Sequence, residues 1–131
     1  MGACYDVTLK VKVLDEKGAI KALNEHIEND TRTYYSLDEY AKEGITTETF
    51  NDLMRIFLAG WKGQEVKISK CSNGFTVYEN SFNASYGWES VMMEMFETLT
   101  PFLEDGSKLI IYPDSDYDEL IVENGKCVQI H

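Results

Sequence analysis

Nucleophilic catalysis needs a serine, cysteine or threonine with a base beside it, most often a histidine. This sequence offers two histidines, His26 and His131. His131 is the last residue, a position that commonly frays. His26 falls beside the apolar stripe of a helix, which is the place of a structural side chain. The three cysteines, Cys4, Cys71 and Cys127, are odd in number and far apart. With no C-x-x-C pair and no Cys–His zinc spacing, they read as buried free thiols in a reducing cytoplasm. Neither phosphate-cradling pattern, G-x-x-x-x-G-K-[ST] or G-x-G-x-x-G, occurs.

Carboxylates are the abundant chemistry. The run Asp114-Ser115-Asp116-Tyr117-Asp118-Glu119 after Pro113 places hard oxygen ligands at alternating positions, as a calcium loop begins. Glu119, however, stands where that loop turns on glycine, and Gly125 stands where a bidentate glutamate is required. Strands flank the run where helices should, so it reads as an acidic, solvated hairpin loop with no metal or cofactor. Paired carboxylates for acid–base work say little when there are 23 acidic residues to pair by chance.

The balance of charge is more informative. Twelve Lys and Arg face 23 Asp and Glu, for a net charge of −11. Such a surface repels nucleic acid and anionic membrane, whose binding requires cationic side chains against phosphate. Lys67 and Lys70 near Phe75 and Tyr78 echo an RNA-binding sheet, but the net charge outweighs them. Residues 1–85 hold 13 acids and 10 bases, whereas residues 86–131 hold 10 acids against Lys108 and Lys126 alone. A dense cluster of like charge serves solubility or meets a basic partner.

The elements that must position these groups are legible as patterns. Val7, Leu9, Val11 and Val13 alternate with polar residues as in a strand with one wet face. Asp15 suits the cap of a helix with the stripe Ala19, Ile20, Leu23 and Ile27. Residues 29–44 read as a polar loop with a short helix at Leu37–Lys42. Thr46 suits the cap of a second long helix, with Ile45 and Phe50 as a hydrophobic staple and a stripe from Phe50 to Trp61. Gly60 and Gly63 are placed to stop it.

A hairpin follows, Val66–Cys71 and Phe75–Tyr78 around Asn73-Gly74. A third helix opens near Ser85 and buries Trp88, Val91, Met92, Met95, Phe96 and Leu99. Pro101 ends it and restarts a turn behind Thr100. Strands at Lys108–Tyr112 and Glu119–Glu123 lead through Asn124-Gly125 to Cys127–Ile130. The expectation is one α+β domain over residues 1–131 with an antiparallel sheet of five to six strands. Two to three helices pack on one face, in the order β-α-α-β-β-α-β-β-β.

The N-terminus has neither a basic segment nor an apolar core, and the longest apolar runs span only a few residues. No signal peptide or membrane span is expected, and the expected compartment is the cytoplasm.

The segment Ser85-Tyr86-Gly87-Trp88-Glu89 through Met95-Phe96-Glu97, continued by Leu99-Thr100-Pro101-Phe102-Leu103-Glu104-Asp105-Gly106-Ser107, resembles a group of small acidic proteins of unassigned function carried by bacterial mobile elements. The resemblance covers the C-terminal third and brings no catalytic signature. It implies a phage or conjugative setting, in which many small acidic proteins inhibit host defence nucleases, among them anti-CRISPR and antirestriction proteins.

These readings converge on a non-enzymatic binding domain. Glu94 and Glu97 are expected to face outward beside an exposed Met93. With Asp114, Asp116 and Asp118 they form the expected contact set for a basic protein surface, such as a nucleic-acid-binding cleft whose phosphates the carboxylates would imitate. One alternative is an oligomerising module joined through Tyr34, Tyr35 and Trp61. The other is a small enzyme or ligand-binding domain with a cleft between helices and sheet.

Overall fold

A computed structural model describes residues 3–30, 37–59, 65–85, 87–112 and 118–130. It is an α+β fold in which six antiparallel strands form one sheet. They are β1 (Ala3–Val11), β2 (Lys67–Lys70), β3 (Thr76–Ala84), β4 (Lys108–Tyr112), β5 (Asp118–Glu123) and β6 (Lys126–Gln129), in the order β2-β3-β1-β4-β5-β6. Four helices accompany them: α1 (Glu16–Asn29), α2 (Leu37–Lys42), α3 (Phe50–Phe57) and α4 (Trp88–Leu99). β1 and β2 run parallel with β3 between them, and β3 and β4 run parallel with β1 between them. This is the split β-α-β arrangement, extended past β4 by the hairpin β5–β6.

The strand period decides which side chains are covered. Tyr5, Val7, Leu9 and Val11 of β1 are buried, and Cys4 and Asp6 between them are exposed. The strand therefore starts earlier than the alternation from Val7 suggests, and it stops at Val11. Val13 makes only an isolated bridge to Leu103. Tyr78 and Phe82 of β3, Leu109 and Ile111 of β4, and Leu120 and Val122 of β5 complete the covered face. Onto it pack Ala19 and Leu23 of α1, Leu53, Met54 and Phe57 of α3, and all six apolar residues expected of α4. Each such large side chain contributes about 1.5–3 kcal/mol on leaving water.

Local chemistry sets the ends. Asp15 caps α1, its carboxylate accepting from the Gly18 amide at 3.0 Å. The cap of α3 is Thr49, whose hydroxyl accepts from the Asp52 amide at 3.1 Å, and not the expected Thr46. The amide of Thr46 instead donates to the Asp52 carboxylate at 3.1 Å. Nor do Ile45 and Phe50 staple together. Ile45 joins Tyr40 and Ile56 in a small separate cluster, whereas Phe50 belongs to the main core. α3 ends at Phe57 with Leu58 as its C-cap, short of the expected run to Trp61; Gly60, Trp61 and Gly63 lie outside the described residues.

The two Asn-Gly turns differ. Asn124 and Gly125 both take positive φ, 52° and 74°, and close a two-residue hairpin between paired Glu123 and Lys126. At Asn73-Gly74 the glycine alone does so, at 88°, in a three-residue loop whose Cys71 amide donates to the Phe75 carbonyl at 2.8 Å. β3 then runs on to Ala84, six residues beyond the expected end at Tyr78.

Candidate functional site

Opposing residues of antiparallel neighbours share a face, so the register divides the polar residues between two surfaces. One is the side of the helices and the covered face of β5–β6. The other is the side of the sheet that no described helix covers.

On the first side, α4 carries Glu89, Glu94 and Glu97 and no base. Glu97 is exposed, Glu94 is half-buried, and its carbonyl accepts from the Thr98 hydroxyl at 2.8 Å. Met93 is half-buried and packed against the core, which corrects the expectation of an exposed methionine. Helical geometry explains the difference: Met93 sits one position from Met92 and two from Met95, at the edge of a stripe wide enough to reach it.

Glu97 borders a recess of about 410 Å³ between the end of α4 and β6, with Thr100, Pro101, Cys127 and Gln129 among its walls. Asp118 is not in that wall but accepts from Gln129 Nε2, which is, at 3.2 Å. The recess thus holds Glu97 alone of the expected contact set, with Glu94 about one turn away along α4 and Asp118 one hydrogen bond beyond the wall. Asp114 and Asp116 lie outside the described residues, as do Tyr34, Tyr35 and Trp61.

Sequence reasoning missed Cys127 and Gln129 as neighbours of Glu97. The signal was the two-residue Asn124-Gly125 turn, which by parity sets Cys127 opposite Val122 and Gln129 opposite Leu120. Burial pushes the Cys127 thiol upward in pKa, a hydrogen bond with Thr100 opposes this, and the Glu97 charge adds to the rise. The thiol is therefore held in its unreactive protonated form. The expectation of buried thiols does not hold: Cys4 is exposed, and Cys71 and Cys127 are half-buried.

A second recess, about 310 Å³, lies between the β2–β3 hairpin and the starts of α1 and α3, with Glu16, Asn51, Lys70 and Tyr78 in its wall. The Tyr78 hydroxyl donates to Asn51 Oδ1 at 2.6 Å. Burial pushes its pKa up to about 12, Glu16 adding to the rise and Arg55 opposing it. It is a neutral donor that is already engaged, not a base.

On the uncovered side of the sheet, pairing aligns Asp6 with Ser81 and Tyr112, Thr8 with Glu79 and Ile110, and Lys10 with Val77 and Lys108. The same parity assigns Lys67 of β2, Glu119, Ile121 and Glu123 of β5, and Lys126 and Val128 of β6 to this face. A shallow recess of about 460 Å³ opens here around Asp6, Lys67, Glu79 and Tyr112. The Ser81 hydroxyl donates to Asp6 Oδ1 at 2.5 Å. A solvated carboxylate is too weak a base to make that serine a nucleophile.

His26 packs on Phe57, ring centroids 6.3 Å apart, and its buried Nε2 has no hydrogen-bond partner. Among the described residues no group of three or more His, Cys, Asp or Glu is arranged to hold a metal ion. No described helix is long and apolar enough to cross a membrane. Comparison of the chain with protein-family models, with curated proteins and with solved structures returns no match.

Proposed function

We propose that this chain is a non-enzymatic binding domain whose α4 side docks on a basic protein surface. The observation that carries the reading is the glutamate content of α4. Glu94 and Glu97 lie in its C-terminal half, and its last turn has no base. In the last turn the Glu97 carboxylate opposes the helix dipole, at a cost of about 0.3–1 kcal/mol. A neutral or cationic residue at 97 would serve the helix better, so the placement favours a role outside the fold. Cationic side chains of a partner would compensate both the dipole and the excess of acid, and Glu97 borders a recess that can admit a lysine or arginine.

The resemblance of residues 85–107 to acidic proteins of mobile elements makes the nucleic-acid-binding cleft of a host defence protein the partner class to try first. In that role carboxylates stand where phosphates would, and the chain acts as an inhibitor. Association driven by charge is fast and weakened by salt.

The test is capture from a bacterial lysate on the immobilised chain at low and high salt, beside a variant with Glu94→Gln, Glu97→Gln, Asp114→Asn, Asp116→Asn and Asp118→Asn. The reading expects a basic protein held at low salt, released by salt and lost with the amides. A partner held equally by the variant overturns it.

A further inference from the structure

The uncovered face of the sheet is apolar on its β4–β6 half. Of the four exposed large hydrophobic residues among those described, Tyr112 (48%), Val128 (38%) and Ile130 (55%) lie on this half. Half-buried Ile121 pairs with Val128, and half-buried Ile110, diagonal to Ile121, continues the apolar surface toward Tyr112, with Glu119 set between Ile110 and Ile130. A scattered apolar residue needs no explanation, but a contiguous patch rimmed by charge marks a contact surface.

Charge identifies what covers it. By register the six strands present four lysines on this face (Lys10, Lys67, Lys108, Lys126) and four acids (Asp6, Glu79, Glu119, Glu123), net zero on a chain of −11. Both bases of residues 86–131 are among them. A basic partner is drawn to the opposite, acidic side. A second copy of the chain is least repelled here, even with Glu65 beside Lys67 at the edge of this face. A patch that carries both signs can pair acid with base across a two-fold axis, as an isologous contact requires.

We infer that this face is where two copies of the chain pack on each other, with their acidic helical sides turned outward. The contact is modest. Six strands at about 4.8 Å spacing and five residues at about 3.4 Å give roughly 24 Å by 17 Å. That is about 400 Å² per copy, below what a stable dimer buries, so the dimer is weak and reversible and forms only at high concentration.

The experiment is sedimentation velocity on the full chain from about 1 µM to several hundred micromolar, at low and high salt, with Val128→Lys/Ile130→Lys and Glu94→Gln/Glu97→Gln beside the wild type. The wild-type mass should climb from 15.0 kDa toward twice that with concentration. High salt should strengthen the dimer by screening the net negative charge, the reverse of its effect on the basic partner. The lysine variant should stay at 15.0 kDa with an unchanged thermal melt, since both positions are exposed. The glutamine variant should dimerise at least as well as wild type even if it loses the basic partner, which keeps the two proposals separable. A wild type that is monomeric at the highest concentration overturns the inference, leaving the face to another occupant, and so does a dimer that persists in the lysine variant.

Discussion

The indole nitrogen of Trp88 donates to the carbonyl oxygen of Phe57 over 2.8 Å, both residues buried. It ties the first turn of α4 to the last of α3, so two helices distant in sequence enter the sheet layer as one unit. Phenylalanine at 88 keeps the ring but takes the donor from that carbonyl and leaves a small void. Trp88→Phe should cost about 2 kcal/mol, read as a lower urea midpoint with an unchanged slope. A loss below about 0.5 kcal/mol would mean that the hydrogen bond contributes nothing net.

Thr49 and Thr46 compete as the cap of α3, and the geometry decides for Thr49. Thr49→Ala removes the acceptor of the Asp52 amide and should cost about 1 kcal/mol. Thr46→Ala removes a hydroxyl that accepts from the Glu48 amide at 3.2 Å in an exposed turn and should cost less than half of that. Thermal melts of the two variants give the order directly. Equal losses would restore Thr46 to the capping role.

Residues whose pattern repeats locally were legible. The α4 stripe from Trp88 to Leu99 is buried residue for residue, and the strand Lys108–Tyr112 has the expected bounds. β3 past Tyr78 was not, because its covered positions run Tyr78, Asn80, Phe82. The asparagine at a covered position hides the alternation, and it is tolerated only because its side-chain amide donates to the Leu58 carbonyl at 3.0 Å. A partner 22 residues away in sequence leaves no local trace. Strand order is invisible for the same reason, and with it the charge balance of the uncovered face, which exists only once β2, β1 and β4, carrying Lys67, Lys10 and Lys108, join one sheet. Glu97 was readable as an exposed acid, but its recess against Cys127 and Gln129 depends on β6 folding back beside β5.

His26 presents a buried ring nitrogen to an apolar neighbour, Phe57, with no partner for it. Burying a polar atom without a hydrogen bond costs about 1–3 kcal/mol. Phenylalanine at this position removes the orphan and keeps a ring of similar size. His26→Phe should therefore raise stability by about 1 kcal/mol, seen as an upward shift of the melting temperature. Destabilisation instead would show that the imidazole has a partner in solution.

Tyr78 couples the fold to alkaline pH. Its hydroxyl is buried and hydrogen-bonded to Asn51, and its pKa rises from 10.0 to about 12. A folded-state pKa above the unfolded value favours the protonated form in the fold. The resulting stability is complete below pH 10 and is lost as pH climbs toward 12. That difference corresponds to roughly 3 kcal/mol. Tyr40, raised by burial and by Glu43, adds to the loss in the same direction. Tyr78→Phe gives up the bond to Asn51, so at neutral pH it should be less stable by about 1 kcal/mol. Between pH 10 and 12 its stability should fall less steeply than that of the wild type, and the two curves should converge or cross. Denaturant titrations across that range, with tyrosinate absorbance followed in parallel, read both effects. Curves that stay parallel would show that Tyr78 ionises as freely in the fold as in the unfolded chain.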